Sequence, residues 1–179
     1  MEKKNSVYIG VSLDGYIADS EGGIDYLDTF TLPEGEDMGY YPFMDRIDAL
    51  VMGRITFETV LGFNVPWPYT KPVYVLSNNM TEVPSEYEGK VFLVKGTLKE
   101  ILTQIHSKGH TRLYIDGGST IQGFLQEDLI DEMIITTIPV LIGGGHPLFG
   151  NQSKKLKFKC VSSKIFAETI VQNHFIRVQ

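Results

Sequence analysis

Asp116, Gly117, Gly118, Ser119 and Thr120 stand in a row where a short apolar run, Leu113–Tyr114–Ile115, meets the helix-spaced set Ile121, Phe124 and Leu125. The order strand, Gly-Gly, small hydroxyls, helix suits one kind of chemistry. Glycines let a backbone approach a ligand closely and take angles barred to other residues. The helix start adds unpaired N–H groups and the positive end of its dipole. Phosphate binds such a place. The same residues also read as a tight strand-to-helix turn with Ser119 as N-cap. Two more strand ends carry small or donor groups, Gly53–Arg54–Ile55–Thr56 and Leu76–Ser77–Asn78. Ligands of open α/β sheets bind beyond the carboxyl ends of the strands. Gly-Arg alone is ordinary turn chemistry. Together the three segments suit a diphosphate with one extra phosphate, which Arg54 could grip bidentately.

Those residues need elements to position them. Val7–Leu13 reads as a first strand, entering Asp14–Gly15 and a loop through Gly23 that either turns back as a hairpin or covers a site. A helix is expected from Asp37 through Ile47, with Pro42 in its early turns. Asp48–Met52 is the next strand, Ile55–Leu61 a short helix, and Gly62–Lys71, around Trp67, a loop. Pro72–Leu76 and Lys90–Val94 are strands separated by the polar loop Thr81–Gly89. Thr97–Ser107 is the clearest helix. Thr97 and Glu100 form a capping box, and Leu98, Ile101, Leu102 and Ile105 recur at i, i+3, i+4 and i+7. Asp131–Ile138 is a strand, followed by a loop with the run Gly143–Gly145. Leu156–Phe166 and Thr169–Val178 alternate as a terminal antiparallel hairpin around Ala167–Glu168. Alternating strands and helices predict a layered α/β fold with a mixed, mostly parallel sheet, in a single domain over residues 1–179.

Composition narrows the function classes. With 179 residues, 42% apolar and 21% charged, the chain can bury a full-sized core. A net charge of −6 without a dense Lys/Arg block argues against nucleic acid as a partner. No apolar run is long enough to span a bilayer, and MEKKNSVYIG lacks the apolar stretch of a signal peptide. The lone Cys160 fits a reducing compartment, so the cytoplasm is expected. His106, His110, His146 and His174 lack metal-ligand spacing, and no metal site is predicted.

Four motifs now occur in order. Val51–Glu58 (VMGRITFE) resembles the MGRxTxE segment of the dihydrofolate reductase fold, and Tyr114–Ser119 (YIDGGS) resembles its strand plus Gly-Gly. Val11–Ala18 (VSLDGYIA) and Pro139–Phe149 (PVLIGGGHPLF) are similar to the riboflavin-biosynthesis reductase domain, the C-terminal half of a bifunctional deaminase-reductase. The resemblance covers nearly the whole chain. It implies a three-layer α/β/α sandwich, usually a homodimer, and an NADPH-dependent reductase with 5-amino-6-(5-phosphoribosylamino)uracil reductase-like activity on a pyrimidine-sugar amine or a pterin-like substrate. By position it implies that Gly53, Arg54 and Thr56 hold cofactor phosphates. Arg54 would face the 2′-phosphate beside Ser77 and Asn78, and Leu76 would pack on the adenosine. Gly117, Gly118, Ser119 and Thr120 would meet the pyrophosphate, with a cis peptide expected at Gly117–Gly118. Ile17 and Ala18 would line the nicotinamide site. The family's R-x-x-H-x-L-R substrate run is replaced here by Gly39–Arg46 (GYYPFMDR), and the deaminase half is absent. Asp37 has the spacing from Gly53 of the substrate-binding carboxylate of dihydrofolate reductases. It is either that proton-assisting group or a helix cap. The alternative to a reductase is a nucleotide-binding protein of the same fold without turnover.

Overall fold

In the computed structural model, residues 2–63 and 65–178 are described, so Asn64, inside the expected loop Gly62–Lys71, lies outside the described residues. Strand β3 (Ala49–Gly53) is apolar and almost wholly buried, as a strand covered on both faces must be. It lies mid-sheet in the order β5 (Val91–Val94), β4 (Val73–Leu76), β3, β6 (Arg112–Asp116), β1 (Lys4–Ser12), β7 (Glu132–Ile138), β10 (Ile170–Val178), β9 (Lys157–Phe166). The first six are parallel, and the β9–β10 hairpin adds two antiparallel strands. At the hairpin tip Ala167 and Glu168 both take positive φ, of 48° and 58°.

Helices cover both faces. On one, Ile101, Leu102 and Ile105 of α3 (Leu98–Ser107) and Ile121, Phe124 and Leu125 of α4 (Gly118–Gln126) pack on Val7, Val51 and Ile115. On the other, Phe43 of α1 (Tyr40–Asp45) and Phe57 of α2 (Arg54–Gly62) pack on Leu50, Met52 and Tyr114. Each fully buried side chain of this size contributes about 1.5–3 kcal/mol. The result is the expected three-layer sandwich with a mixed, mostly parallel sheet. The capping box of α3 is present, with Glu100 N–H donating to Thr97 Oγ1 and Thr97 N–H donating to Glu100.

Two expectations are corrected. The first helix begins at Tyr40, not Asp37, because Gly39 takes a left-handed φ of 86° and breaks the helical path there. Tyr16–Ala18 and His146–Pro147, expected as loop, pair as the short antiparallel strands β2 and β8.

Candidate functional site

Helix α2 starts at Arg54, directly after β3 ends at Gly53, and α4 starts at Gly118, just after β6 ends at Asp116. Strands β3 and β6 are parallel neighbours with Met52 opposite Asp116, so the two nine-residue helices begin side by side. The junction is tight. A Cβ on Gly53 would lie 3.1 Å from Thr120 Oγ1, and one on Gly118 would lie 2.7 Å from Ile17 Cδ1. On Gly117, at φ +86°, it would collide with Thr56 Oγ1. Sequence-distant residues Gly53, Thr56, Gly117, Gly118, Thr120 and Ile17 are thereby brought together. Ser119 is exposed on the outer side of the α4 start, and Thr120 is buried.

Both N-caps here, Gly53 and Gly117, lack a side chain, and neither helix has an acid in its first turn. The other two α-helices differ: α3 has its capping box, and at α1 the Asp37 carboxylate accepts from Gly39 and Tyr41 N–H at 2.8 and 2.9 Å. Two helix starts with no acid in their first turns therefore lie side by side, with Asp116 accepting the Gly117 N–H at 2.8 Å just before α4. Their partial positive charge and free N–H groups fit an anion with two phosphates.

The remaining expected residues surround this point. Arg54 is half-buried, with 41% of its side chain accessible, and its Nη1 is held by both oxygens of Glu58 at 2.7 and 2.6 Å, so gripping a phosphate requires it to exchange partners. Leu76 ends β4 opposite Gly53. Ser77 Oγ accepts from Asn79 and Met80 N–H, and Asn78 is exposed. Ala18 pairs with His146 in the β2–β8 ribbon that carries Ile17 to Gly118. That ribbon is fastened by Asp14, which accepts from Ser12 Oγ at 2.6 Å, Gly143 N–H at 2.8 Å and Ile142 N–H at 3.3 Å. The Ser12 hydrogen bond foremost holds the Asp14 carboxyl below its usual range. The expected cis peptide is a correction: no cis bond occurs among the described residues, and the positive φ of Gly117 makes the turn instead. Asp37 is half-buried, and its two backbone N–H bonds lower its pKa, so it serves the helix as a cap.

A different carboxylate has the environment of a proton donor. Asp116 shares a face of β6 with Tyr114, and desolvation raises its pKa to about 6 against the weaker opposing pull of Gly117 N–H and Tyr114. Part of its surface remains accessible. Tyr40 and Tyr69 lie close enough for its charge to add to the rise that burial imposes on their own hydroxyls. Tyr40 in turn packs edge-on to Tyr8 at 5.6 Å between ring centroids. Asp116 and these tyrosines thus lie in one electrostatic neighbourhood, next to the start of α4. Two cavities, of about 390 and 400 Å³, lie elsewhere and include no residue of 53–56 or 117–120.

Comparison with known proteins identifies the family and the fold. The model of the RibD C-terminal domain matches residues 6–172. The chain is 36% identical to the uncharacterized protein YwjB of Bacillus subtilis (strain 168), over 99% of each chain. It is similar to the crystal structure of a candidate riboflavin biosynthesis protein from Shewanella sp. PV-4, with TM-score 0.95 and 52% identity over 98% of this chain and 99% of that one. The dihydrofolate reductase of Enterococcus faecalis, complexed with NADP(H), shares the fold at TM-score 0.68 and 16% identity, over 98% and 97% of the two chains. From its motifs, its topology and these likenesses, the chain belongs to the RibD C-terminal domain family, with a dihydrofolate reductase-like fold.

Proposed function

We propose that this protein is an NADPH-dependent reductase of a small planar heterocycle, a pyrimidine derivative or pterin-like compound. The observation that carries the reading is the side-by-side start of two uncapped helices at Gly53, where a Cβ would crowd Thr120, and Gly117, where it would collide with Thr56. The residues present suit the cofactor. First-turn N–H groups of α2 and α4 would take the pyrophosphate, with Thr56, Ser119 and Thr120 hydroxyls beside them. Arg54, released from Glu58, would take the 2′-phosphate with Ser77 and Asn78, and Leu76 would cover the adenosine. Ile17 and Ala18 would border the nicotinamide. When bound, the cofactor would supply a hydride to an electrophilic carbon of the substrate.

The chain's own part is to orient and to protonate. Tyr40 and Tyr69 would sandwich or edge the heterocycle. The Asp116 carboxyl, protonated below about pH 6, would give its proton to the substrate nitrogen adjoining the reduced carbon and be left as carboxylate. Solvent then reprotonates it. The test is a fluorescence titration of the protein with NADPH and NADH, followed by NADPH oxidation at 340 nm with candidate heterocycles. Preferential NADPH binding and turnover support the reading, and equal affinity for the two cofactors removes the role given to Arg54. Binding without turnover by any pyrimidine or pterin would favour the second reading, a nucleotide-binding protein, to which the Arg54–Glu58 pair lends some support.

We place the protein in the cytoplasm as a homodimer. Met133, Ile135, Phe158 and Phe175 floor an open groove bordered by exposed Leu13 and Phe149. A second copy would cover it. Light scattering should give twice the 20.1 kDa chain mass, and Phe149→Asp should halve it.

A further inference from the structure

The cavity of about 390 Å³ lies at the other end of the sheet from the paired helix starts, against the N-terminal ends of β1 and β7. Its size is in the range of small-molecule sites. Leu102 of α3 and Leu129 of the α4–β7 connection give it an apolar floor. Asn5 lies beside them and is only 8% exposed. Alternation along β1 puts Asn5 on the same face as Val7, which packs with Ile101 and Ile105, so the Asn5 amide points toward α3. Its Nδ2 donates to the Leu129 carbonyl at 2.8 Å, and that fixes the amide, since a carbonyl can only accept. Asn5 Oδ1 is buried and has no partner among the described residues. His106, whose Nε2 is buried and unpartnered in the same way, lines the same cavity. Buried polar groups are nearly always hydrogen-bonded, so two orphans in the wall of one cavity mark bonds for an occupant to complete.

The charges around the cavity divide by element. Lys99 and His106 share a face of α3, at i and i+7, and no acid of that helix is in the lining. Burial foremost, then the charge of Lys3, lowers the His106 pKa, so at neutral pH the ring is uncharged and can present Nε2–H. Among the described residues neither Lys3 nor Lys99 has an ion pair. The Thr103 hydroxyl spends its proton on the Lys99 carbonyl at 2.8 Å and adds no donor. The carboxylates belong to the α4–β7 connection. Asp128 is taken up by Arg177, which meets both its oxygens at 2.6 and 2.8 Å, and it also feels the charge of Lys154. Asp131 Oδ2 accepts the Asn5 N–H at 2.7 Å, which holds this exposed carboxylate next to Asn5. The charges of Lys4 and Glu2 reach Asp131 in opposite senses, and Lys4 is committed to Glu132 at 3.0 Å. The cavity thus offers unpaired cations and a ring N–H, an adjacent pair of acceptors, and a leucine floor.

We propose that this cavity binds an apolar α-amino acid. The ammonium donates to Asn5 Oδ1 and Asp131, the carboxylate accepts from His106 Nε2–H and pairs with Lys99 and Lys3, and the side chain lies on Leu102 and Leu129. A simple anion leaves Asn5 Oδ1 without a donor, and a simple amine leaves both lysines unpaired. The cavity shares no residue with the proposed cofactor cleft, and its occupancy does not depend on the reductase reading.

The test is isothermal titration calorimetry on the full chain without cofactor. The probes are leucine, 4-methylpentanoate, which lacks the amino group, and 3-methylbutylamine, which lacks the carboxyl. Leucine should bind at millimolar concentration or below, with each half-analogue at least about tenfold weaker. The His106 ring signals should shift in NMR spectra as leucine is added. Lys99→Gln and Asp131→Asn, both at exposed rim positions, should each weaken leucine about tenfold. Should Asp131→Asn fail to fold, Lys99→Gln alone decides. Absence of leucine binding at millimolar concentration overturns the proposal, as does equal binding of either half-analogue or an unchanged leucine affinity in a folded variant.

Discussion

Asp116 is a carboxyl held partly against its nature. Its raised pKa, about 6 in the fold against 3.8 for an ordinary aspartate, means that the folded chain binds more protons than the unfolded chain between those values. Stability therefore falls as pH rises through that window, and the full cost, up to about 3 kcal/mol, is present above it. Asp116→Asn should thus stabilise the protein at pH 7.5 and much less at pH 4, as read by urea unfolding at both. The same change should lower kcat with an accepted heterocycle by about 10²–10⁴. The wild-type kcat should decline above about pH 6, and the variant's should not show that step. Arg54→Ala should weaken NADPH binding by roughly 1.5–3 kcal/mol and leave NADH nearly unaffected. Its present partner Glu58 is exposed, so little stability should be lost. Of these two groups Arg54 was legible in the sequence, as a donor beside a glycine at a strand end. The role of Asp116 was not. It reads as a turn residue because its burial depends on parts of the chain far away in sequence, and no local pattern announces it.

The elements divide by how their ends are satisfied. Helix α3 closes its own N-terminus with Thr97 and Glu100, a pairing visible in the sequence because both partners lie within one turn. Thr97→Ala should cost about 1 kcal/mol of stability by chemical denaturation and leave NADPH affinity unchanged. The starts of α2 and α4 have no such closure, and their glycines could be read from the sequence only as turn or ligand. The ribbon β2–β8 escaped notice because two or three residues cannot display a period of two, and Pro147 cannot donate to a ladder. Strand β7 carries the opposite kind of carboxylate from β6. Glu132 is buried and receives Arg46, Lys4 at 3.0 Å and Ser6 Oγ at 2.8 Å, while His174 Nε2 stands 2.6 Å away, off the hydrogen-bond direction. Although desolvation is the largest single influence and opposes ionisation, these partners together depress its pKa to about 2. Its contribution to stability is therefore complete above about pH 4.5 and is lost as pH falls toward 2. Glu132→Gln should remove about 2–4 kcal/mol at pH 7 and flatten the acid limb of the unfolding curve.

At the scale of the whole molecule, the sheet separates two electrostatic tasks. Helix starts and one guanidinium favour an anion at the C-terminal ends of β3 and β6, and the ion pairs of Glu132 close the opposite end of β7. The layered architecture was readable because apolar periods of 2 and 3.6 alternate along the chain. The division of charge was not, since it depends on which loops fold over which strand ends. One small fastening serves the first of these ends. Asp14 clasps the glycine-rich turn at Gly143 and so keeps the β2–β8 ribbon, with Ile17, pressed on Gly118. A clasp of three hydrogen bonds across an exposed surface governs tempo more than depth of binding. Asp14→Ala should leave the equilibrium affinity for NADPH within a few-fold while speeding both capture and escape in stopped-flow traces, and where departure of the spent nucleotide limits the cycle, the loosened protein should turn over faster than the intact one.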